Sequence, residues 1–304
     1  MPKTIVVTGA SRGIGRGIAL VLARDEGHTV YATGRSKSKL EELSQLVERT
    51  SQNGGKLVPV VVDHSNDGSV QQLMQRVMQD TGRLDVLVNN AYGGVKAIAD
   101  EFGKPFWEKP LSVWDASHNV GLRSHYVASA LAVPHMLRND RVVGNKVTAL
   151  IVNISSSGGK GYLFDIAYGS GKQALDRMGC DMATEFQGTG VKVVTLWPGA
   201  VNTETTTFPG AESVEFSGRA IAALMNHSSD LDRYNGKIIN TRELAEIYGF
   251  QDVDGTLPGH RSRQPGDLRR ELETQRPVQW SLTSKLYPKS NPAMKAFFQK
   301  QGKL

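Results

Sequence analysis

The stretch Thr8-Gly9-Ala10-Ser11-Arg12-Gly13-Ile14-Gly15 lies between a short apolar run, Thr4-Ile5-Val6-Val7-Thr8, and a segment of helical period that starts at Gly13. Each of its three glycines has its own use. Gly9 permits a tight turn, Gly13 lets backbone approach an anion with no Cβ in the way, and Gly15 lets the helix pack closely on the strand. The N–H groups that open such a helix face a phosphate. Strand, glycine-rich loop and helix in the first unit predict a dinucleotide-binding start, with Ser11, Arg12 and Ile14 carried in the same loop.

Outward from this loop, apolar β-branched runs alternate with longer helical segments, the pattern of repeated strand-helix units. Seven strands are predicted, at residues 4–8, 28–33, 57–62, 85–89, 147–154, 191–196 and 236–240. They are apolar nearly throughout, as strands are when helices cover both faces of a sheet. Crossover helices are predicted at 13–25, 36–53, 66–82, 110–138, 166–188 and 212–227. The expected fold is α/β, a Rossmann-type doubly wound seven-stranded parallel sheet with a C-terminal appendage. After Asn240 the rhythm stops, so residues 1–240 read as a dinucleotide-binding catalytic domain and 241–304 as an extension, in which Leu272, Trp280, Leu282, Phe297 and Phe298 point to partial burial.

Composition narrows the class. With 304 residues, 39% of them hydrophobic, the chain has enough apolar surface for one large core. The lone cysteine, Cys180, cannot close an intramolecular disulfide, which excludes a disulfide-built scaffold and favours a reducing, cytoplasmic setting. No secretory leader and no transmembrane segment is read, and no set of metal ligands. The net charge of +6 is concentrated at the end, where Lys285, Lys289, Lys295, Lys300 and Lys303 stand without an acid. The body is nearly neutral, so nucleic acid is not an expected partner, whereas the tail is a candidate for peripheral membrane contact.

The end of the second strand bears on the choice of cofactor. An acid there would bind the adenosine ribose hydroxyls and repel a 2′-phosphate, but the chain has Gly34-Arg35. Arg35, Arg12 and Ser11 form a plausible cradle for that phosphate, because guanidinium binds phosphate through a planar fork. NADP(H) is therefore the preferred cofactor, with NAD(H) as the alternative. Farther on, Tyr168 and Lys172 stand four residues apart, one helical turn, where a cation near a phenol favours the phenolate. The fifth strand ends in Asn153-Ile154-Ser155-Ser156-Ser157, delivering hydroxyls to the edge where such sheets bind ligands.

Taken together, the glycine-rich loop, Asn89-Asn90-Ala91, Asn119, the serine cluster, Tyr168/Lys172 and Pro198-Gly199 resemble the short-chain dehydrogenase/reductase family over residues 4 to about 240. The resemblance implies that Tyr168 gives a proton to a substrate carbonyl oxygen, with Ser156 hydrogen-bonding the same oxygen. It further implies that Lys172 holds the nicotinamide ribose and lowers the Tyr168 pKa, with Asn119 supporting a water relay behind it. Counting forward from Asn153 selects Ser156 as the catalytic serine; counting back from Tyr168 by the family spacing selects Ser155. Asp63, Asn90 and Ala91 match positions beside the cofactor, and Pro198, Gly199, Val201 and Thr203 match the segment that receives the nicotinamide.

Read from the residues alone, Asp63 is equally a turn-capping carboxylate, and Thr203 a helix cap. Tyr92, where the family has glycine, is expected as an aromatic wall, together with Tyr162, Phe164, Trp107 and Phe208. A narrower branch of the family implies reduction of apolar ketones or aldehydes, steroids and xenobiotics among them, and association with the endoplasmic reticulum. A homodimer or homotetramer is the family expectation. The competing readings are an NAD-dependent alcohol dehydrogenase and a catalytically silent cofactor-binding scaffold or redox sensor.

Overall fold

A computed structural model describes residues 2–139 and 149–258. The strands are β1 (Thr4–Val7), β2 (Thr29–Gly34), β3 (Lys56–Val61), β4 (Val86–Asn89), β5 (Ala149–Ile154), β6 (Val191–Trp197) and β7 (Ile238–Asn240). All pair in parallel, in the order β3-β2-β1-β4-β5-β6-β7. Both neighbours of β1 are reached by crossovers that leave in opposite directions, so the carboxyl ends of β1 and β4 border a crevice. That is where ligands of such sheets bind.

Alternation along each strand explains the two helical layers. Ile5 and Val7 of β1 point to one buried cluster and Val6 to the other; Leu150 and Val152 of β5 oppose Ile151 in the same way. One face is covered by α1 (Gly13–Arg24), α2 (Lys37–Thr50) and α8 (Phe216–Asn226) through Ile18, Leu22, Leu40, Leu43, Ile221 and Leu224. The other is covered by α3 (Asp67–Thr81), α6 (Ser124–Met136) and α7 (Ile166–Glu185) through Leu73, Met74, Ala132, Met136 and Ala183. Three shorter helices went unpredicted: α4 (Val95–Asp100), α9 (Leu231–Tyr234) and α10 (Thr241–Tyr248), the last closed at its start by a reciprocal capping box between Asn240 and Glu243.

Two boundaries differ from the sequence expectation. The helix expected over 110–138 is broken: α5 (Ser112–His118) and α6 flank a kink at Asn119–Arg123, where Val120 is non-helical and Gly121 has φ +147°. Only glycine fits at this turn, because its φ is positive and a Cβ on Gly121 would lie 2.5 Å from the Tyr92 ring. The boundary placed at 240 does not coincide with a break in packing. Leu244 of α10 joins the same buried cluster as β1, and Asp252 accepts the Ser213 N–H at 2.7 Å. The basic tail and the apolar residues from Leu272 onward lie outside the described residues.

Close approach of α1 and α8 carries much of one layer. A Cβ on Gly17 would sit 2.0 Å from the Val214 carbonyl oxygen, and one on Gly218 would sit 2.8 Å from Val21 Cβ. Alanine at a free helix position stabilises by about 1 kcal/mol relative to glycine. Here the sign reverses: Gly17→Ala is expected to cost about 2 kcal/mol through overpacking and to lower Tm by about 5 °C in a thermal melt. An unchanged or raised Tm would show that the crossing is loose.

Candidate active site

The crevice is built first from the glycine-rich loop. Gly9 and Gly13 both hold positive φ, +69° and +55°, which explains glycine at these two positions. A Cβ on Gly15 would lie 2.4 Å from the Gly9 carbonyl oxygen and 2.3 Å from Asn90 Nδ2. Asn90 clamps the loop, donating to the Thr8 and Gly9 carbonyls at 2.8 and 3.1 Å, while the Thr8 hydroxyl accepts the Asn90 and Ala91 N–H groups. The side chain of Asn90 is thus spent on shaping the loop. Beside Gly13 no backbone crowds the cradle: a Cβ there would meet only the Thr203 and Glu204 side chains, at 3.7 and 3.9 Å, and the Glu204 carboxylate accepts the Gly13 N–H. A backbone amide at a helix N-terminus, with no Cβ in the way, suits a pyrophosphate.

At the outer end of the crevice, Ser11 lies against Gly34, and Arg12 and Arg35 are exposed. Asp63 is exposed too, and it accepts the Ser65 N–H at 2.9 Å and the Ser65 hydroxyl at 2.8 Å, so its turn-capping role is realised. Those two hydrogen bonds hold its carboxyl below the usual range, and the charge of Arg35 acts in the same direction.

At the inner end, β5 and α7 bring Ser156, Tyr168 and Lys172 together. The start of α7 is set by Asp165, whose side chain accepts the Tyr168 N–H at 2.8 Å and pairs with Lys109 Nζ at 3.2 Å, both side chains nearly buried. Ser156 Oγ accepts the Gly158 N–H at 3.1 Å, and the turn it opens packs directly on the Tyr168 ring, where a Cβ on Gly158 would lie 2.6 Å from Tyr168 Cε1. Ser155, buried, turns the other way: its hydroxyl donates to the Lys172 carbonyl at 3.3 Å. Both serines follow β5 while the backbone is still extended, where neighbouring side chains face opposite sides, so only one of the two faces Tyr168.

Lys172 Nζ donates to the Ile154 carbonyl at 3.0 Å and stands 5.0 Å from the Tyr92 ring centre. Burial pulls its pKa down to about 8, opposed by the charge of Asp176. The Tyr168 phenol moves up from its ordinary value, chiefly through burial, with Ser156 acting in the opposite direction. The Lys172 ammonium lies 5.9 Å from the Tyr168 ring centre. Asn119 is exposed at the start of the kink.

Aromatic rings frame Tyr168. Tyr92 meets it edge to face at 5.8 Å and is fixed by a 3.0 Å hydrogen bond to Ser117; Phe164 meets it at 5.1 Å. Phe164, at φ +65°, is the one non-glycine residue with positive φ among the described residues, a strained backbone held beside the site. Trp107, Tyr162 and Phe208 are exposed and make no ring contact with Tyr168 among the described residues.

On the β6 side, Gly199 donates its N–H to Glu212 at 2.9 Å, Val201 bridges to Glu212, and the Thr203 hydroxyl bonds within its own turn to Thr205 and Thr206. Pro198, half-buried, follows β6 directly. No helix starts at Thr203, so the helix-cap reading fails there.

Three acids escaped the sequence reading. Glu212, buried under Gly199 and Thr241, is pushed up to about 7 by burial. Asp176, pushed up to about 6 by burial, accepts the Trp197 indole N–H at 3.0 Å. Its signal was present, one turn beyond Lys172. Glu204 had none, since only the tertiary fold brings it to Gly13.

Residues 3–212 match the family model described as short chain dehydrogenase. The chain belongs to the short-chain dehydrogenase family. This family member is 42% identical over 274 residues to "Dehydrogenase/reductase SDR family member 1" of Mus musculus and, equally, of Homo sapiens, covering 83% of this chain and 84% of each relative. Among solved structures, a metagenomic short-chain oxidoreductase in complex with NADP matches with TM-score 0.64 and 28% identity, covering 78% of this chain and 96% of that one. An alcohol dehydrogenase from Thermococcus sibiricus shares the fold, with TM-score 0.67, 23% identity, and coverage of 79% of this chain and 96% of that one. Among the described residues of this short-chain dehydrogenase, no helix is long and apolar enough to cross a membrane.

Proposed function

We propose that this short-chain dehydrogenase is an NADP(H)-dependent reductase of apolar ketones or aldehydes, working in the alcohol-forming direction or its reverse. The observation that carries the reading is that the turn opened by Ser156 packs on the Tyr168 ring at the carboxyl edge of the sheet, with Lys172 Nζ 5.9 Å from the centre of that ring. Two hydroxyls brought to one edge suit a carbonyl oxygen that gains negative charge. The bound nicotinamide supplies the hydride for the carbonyl carbon. Tyr168 donates the proton to the oxygen, and Ser156 orients that oxygen and stabilises its developing charge.

Lys172 holds the nicotinamide ribose hydroxyls, which requires its Nζ to share or leave the Ile154 carbonyl. Tyr92 and Phe164 exclude water from the reacting oxygen and favour apolar substrates. Ser11, Arg12 and Arg35 receive the 2′-phosphate. The complex with NADP of the metagenomic oxidoreductase supports this cofactor. The expected homodimer or homotetramer is retained as part of the proposal.

The two serines provide the test. Ser156→Ala is expected to lower kcat by about 100-fold on a panel of apolar ketones and aldehydes, as removal of one oxyanion donor does elsewhere. Ser155→Ala, which loses a buried hydrogen bond, costs about 1 kcal/mol of stability and leaves kcat within about three-fold. Steady-state kinetics with NADPH oxidation as readout, paired with thermal melts, separates them. The reverse order of effects would assign the role to Ser155 and sink the geometry argued above.

A further inference from the structure

The start of α1 lacks a local cap. Arg12 stands at the N-cap without a side-chain hydrogen bond, and the first turn of the helix contains no acid. The first amides of any helix have no partner within it and carry partial positive charge, so an anion is attracted there. In this chain the anion comes from 191 residues away: both carboxylate oxygens of Glu204 approach the Gly13 N–H, at 3.2 and 3.0 Å. The same amide is the one that the glycine-rich loop exposes to a pyrophosphate.

Glu204 is not on a floppy arm. The turn that carries it is closed by Thr203 N–H to the Thr206 carbonyl at 2.8 Å, by the Thr203 hydroxyl to Thr205 and Thr206, and by Phe208 N–H to Asn202 Oδ1 at 2.8 Å. Its base is tied to the body by Asn202 N–H to the Glu212 carbonyl at 2.9 Å and Glu212 N–H to the Ala200 carbonyl at 2.8 Å. The carboxylate is thus presented to Gly13 by a defined unit. A carboxylate and a pyrophosphate are alike in charge and cannot share one amide, so one must leave for the other to bind.

We propose that Glu204 is an affinity-determining residue for the dinucleotide: its carboxylate occupies the pyrophosphate position at Gly13, and cofactor binds only to molecules in which the Asn202–Phe208 turn has released it. The proposal rests on the reading of the Gly9–Gly15 loop as the pyrophosphate cradle. Apparent affinity is then reduced by the fraction of molecules that are open. A charge at an exposed helix N-terminus is worth enough to leave about one molecule in five open.

The test is a titration of the wild-type chain, Glu204→Ala and Glu204→Gln with NADPH and separately with NADH, followed by nicotinamide fluorescence. Glu185→Gln, an exposed acid at the far end of α7, controls for the change in net charge. Glu204→Ala is expected to tighten Kd by about five-fold and Glu204→Gln by about two-fold. The gain is the same for both cofactors because the pyrophosphate is common to them, and Glu185→Gln shows none.

Equal Kd values for wild type and Glu204→Ala overturn the proposal, as does a gain confined to NADPH, which would place the effect at the 2′-phosphate. Failure of both wild type and Glu204→Ala to bind either cofactor overturns the cradle reading and the proposal with it. Binding by Glu204→Ala alone is its strongest support.

Discussion

Replacing Tyr168 by Phe is expected to lower kcat by about 1,000-fold while leaving the Kd for NADPH within about two-fold. Only one oxygen is removed. The phenyl ring keeps its edge-to-face contacts with Tyr92 at 5.8 Å and Phe164 at 5.1 Å, and the N-cap contact from Asp165 is made to backbone. Stability therefore changes little, because burial already favours a neutral group at this position. What disappears is the proton donor. Fluorescence titration and steady-state kinetics on the same preparation measure the two effects separately. A variant that kept its rate within about ten-fold would mean that the proton comes from another group, and the proposed chemistry would fail.

Arg35→Asp is expected to shift the preference for NADPH over NADH by about 100-fold, read as the ratio of the two Kd values. The physical basis is a reversal of charge at the end of β2. A guanidinium that pairs with the 2′-phosphate is exchanged for a carboxylate that repels it and accepts hydrogen bonds from the ribose hydroxyls instead. Charge-assisted hydrogen bonds contribute about 1.5–3 kcal/mol, enough for a shift of this size even at an exposed position. The new acid stands near Asp63, which loses a neighbouring cation, so the local field becomes more negative still. An unchanged ratio would remove Arg35 from cofactor choice and leave Arg12 and Ser11 as the candidates to vary next.

How far the site could be read from sequence depended on whether a role is local. Gly9 and Gly13 have positive φ, and Gly15 fits only because it has no Cβ; those are backbone demands that a glycine states by itself. The interval between Tyr168 and Lys172 needs only a helix. By contrast, Ser155 and Ser156 were inseparable by counting, since the choice depends on which way a strand residue points when β5 pairs with β4 and β6. Asn119 stands at the start of a kink between α5 and α6 that the helical period of 110–138 did not announce. The direction of the Lys172 ammonium likewise follows from the Ile154 carbonyl, on a strand eighteen residues earlier.

The wide aromatic wall shows the same limit. Tyr92 and Phe164 meet Tyr168, whereas Trp107, Tyr162 and Phe208 make no ring contact with it among the described residues, a distinction that aromatic content alone does not carry.

By itself the sequence determined the seven-stranded parallel layout, the phosphate-binding loop and the placing of Tyr168 and Lys172 one helical turn apart. These depend on periodicity, on backbone freedom and on one helical turn, all short-range properties of a chain. Only the tertiary structure decided which serine faces the phenol, where the ammonium points, and that Glu204 reaches Gly13. Each of those joins atoms far apart in sequence, and packing of strands and loops alone brings them within hydrogen-bonding distance.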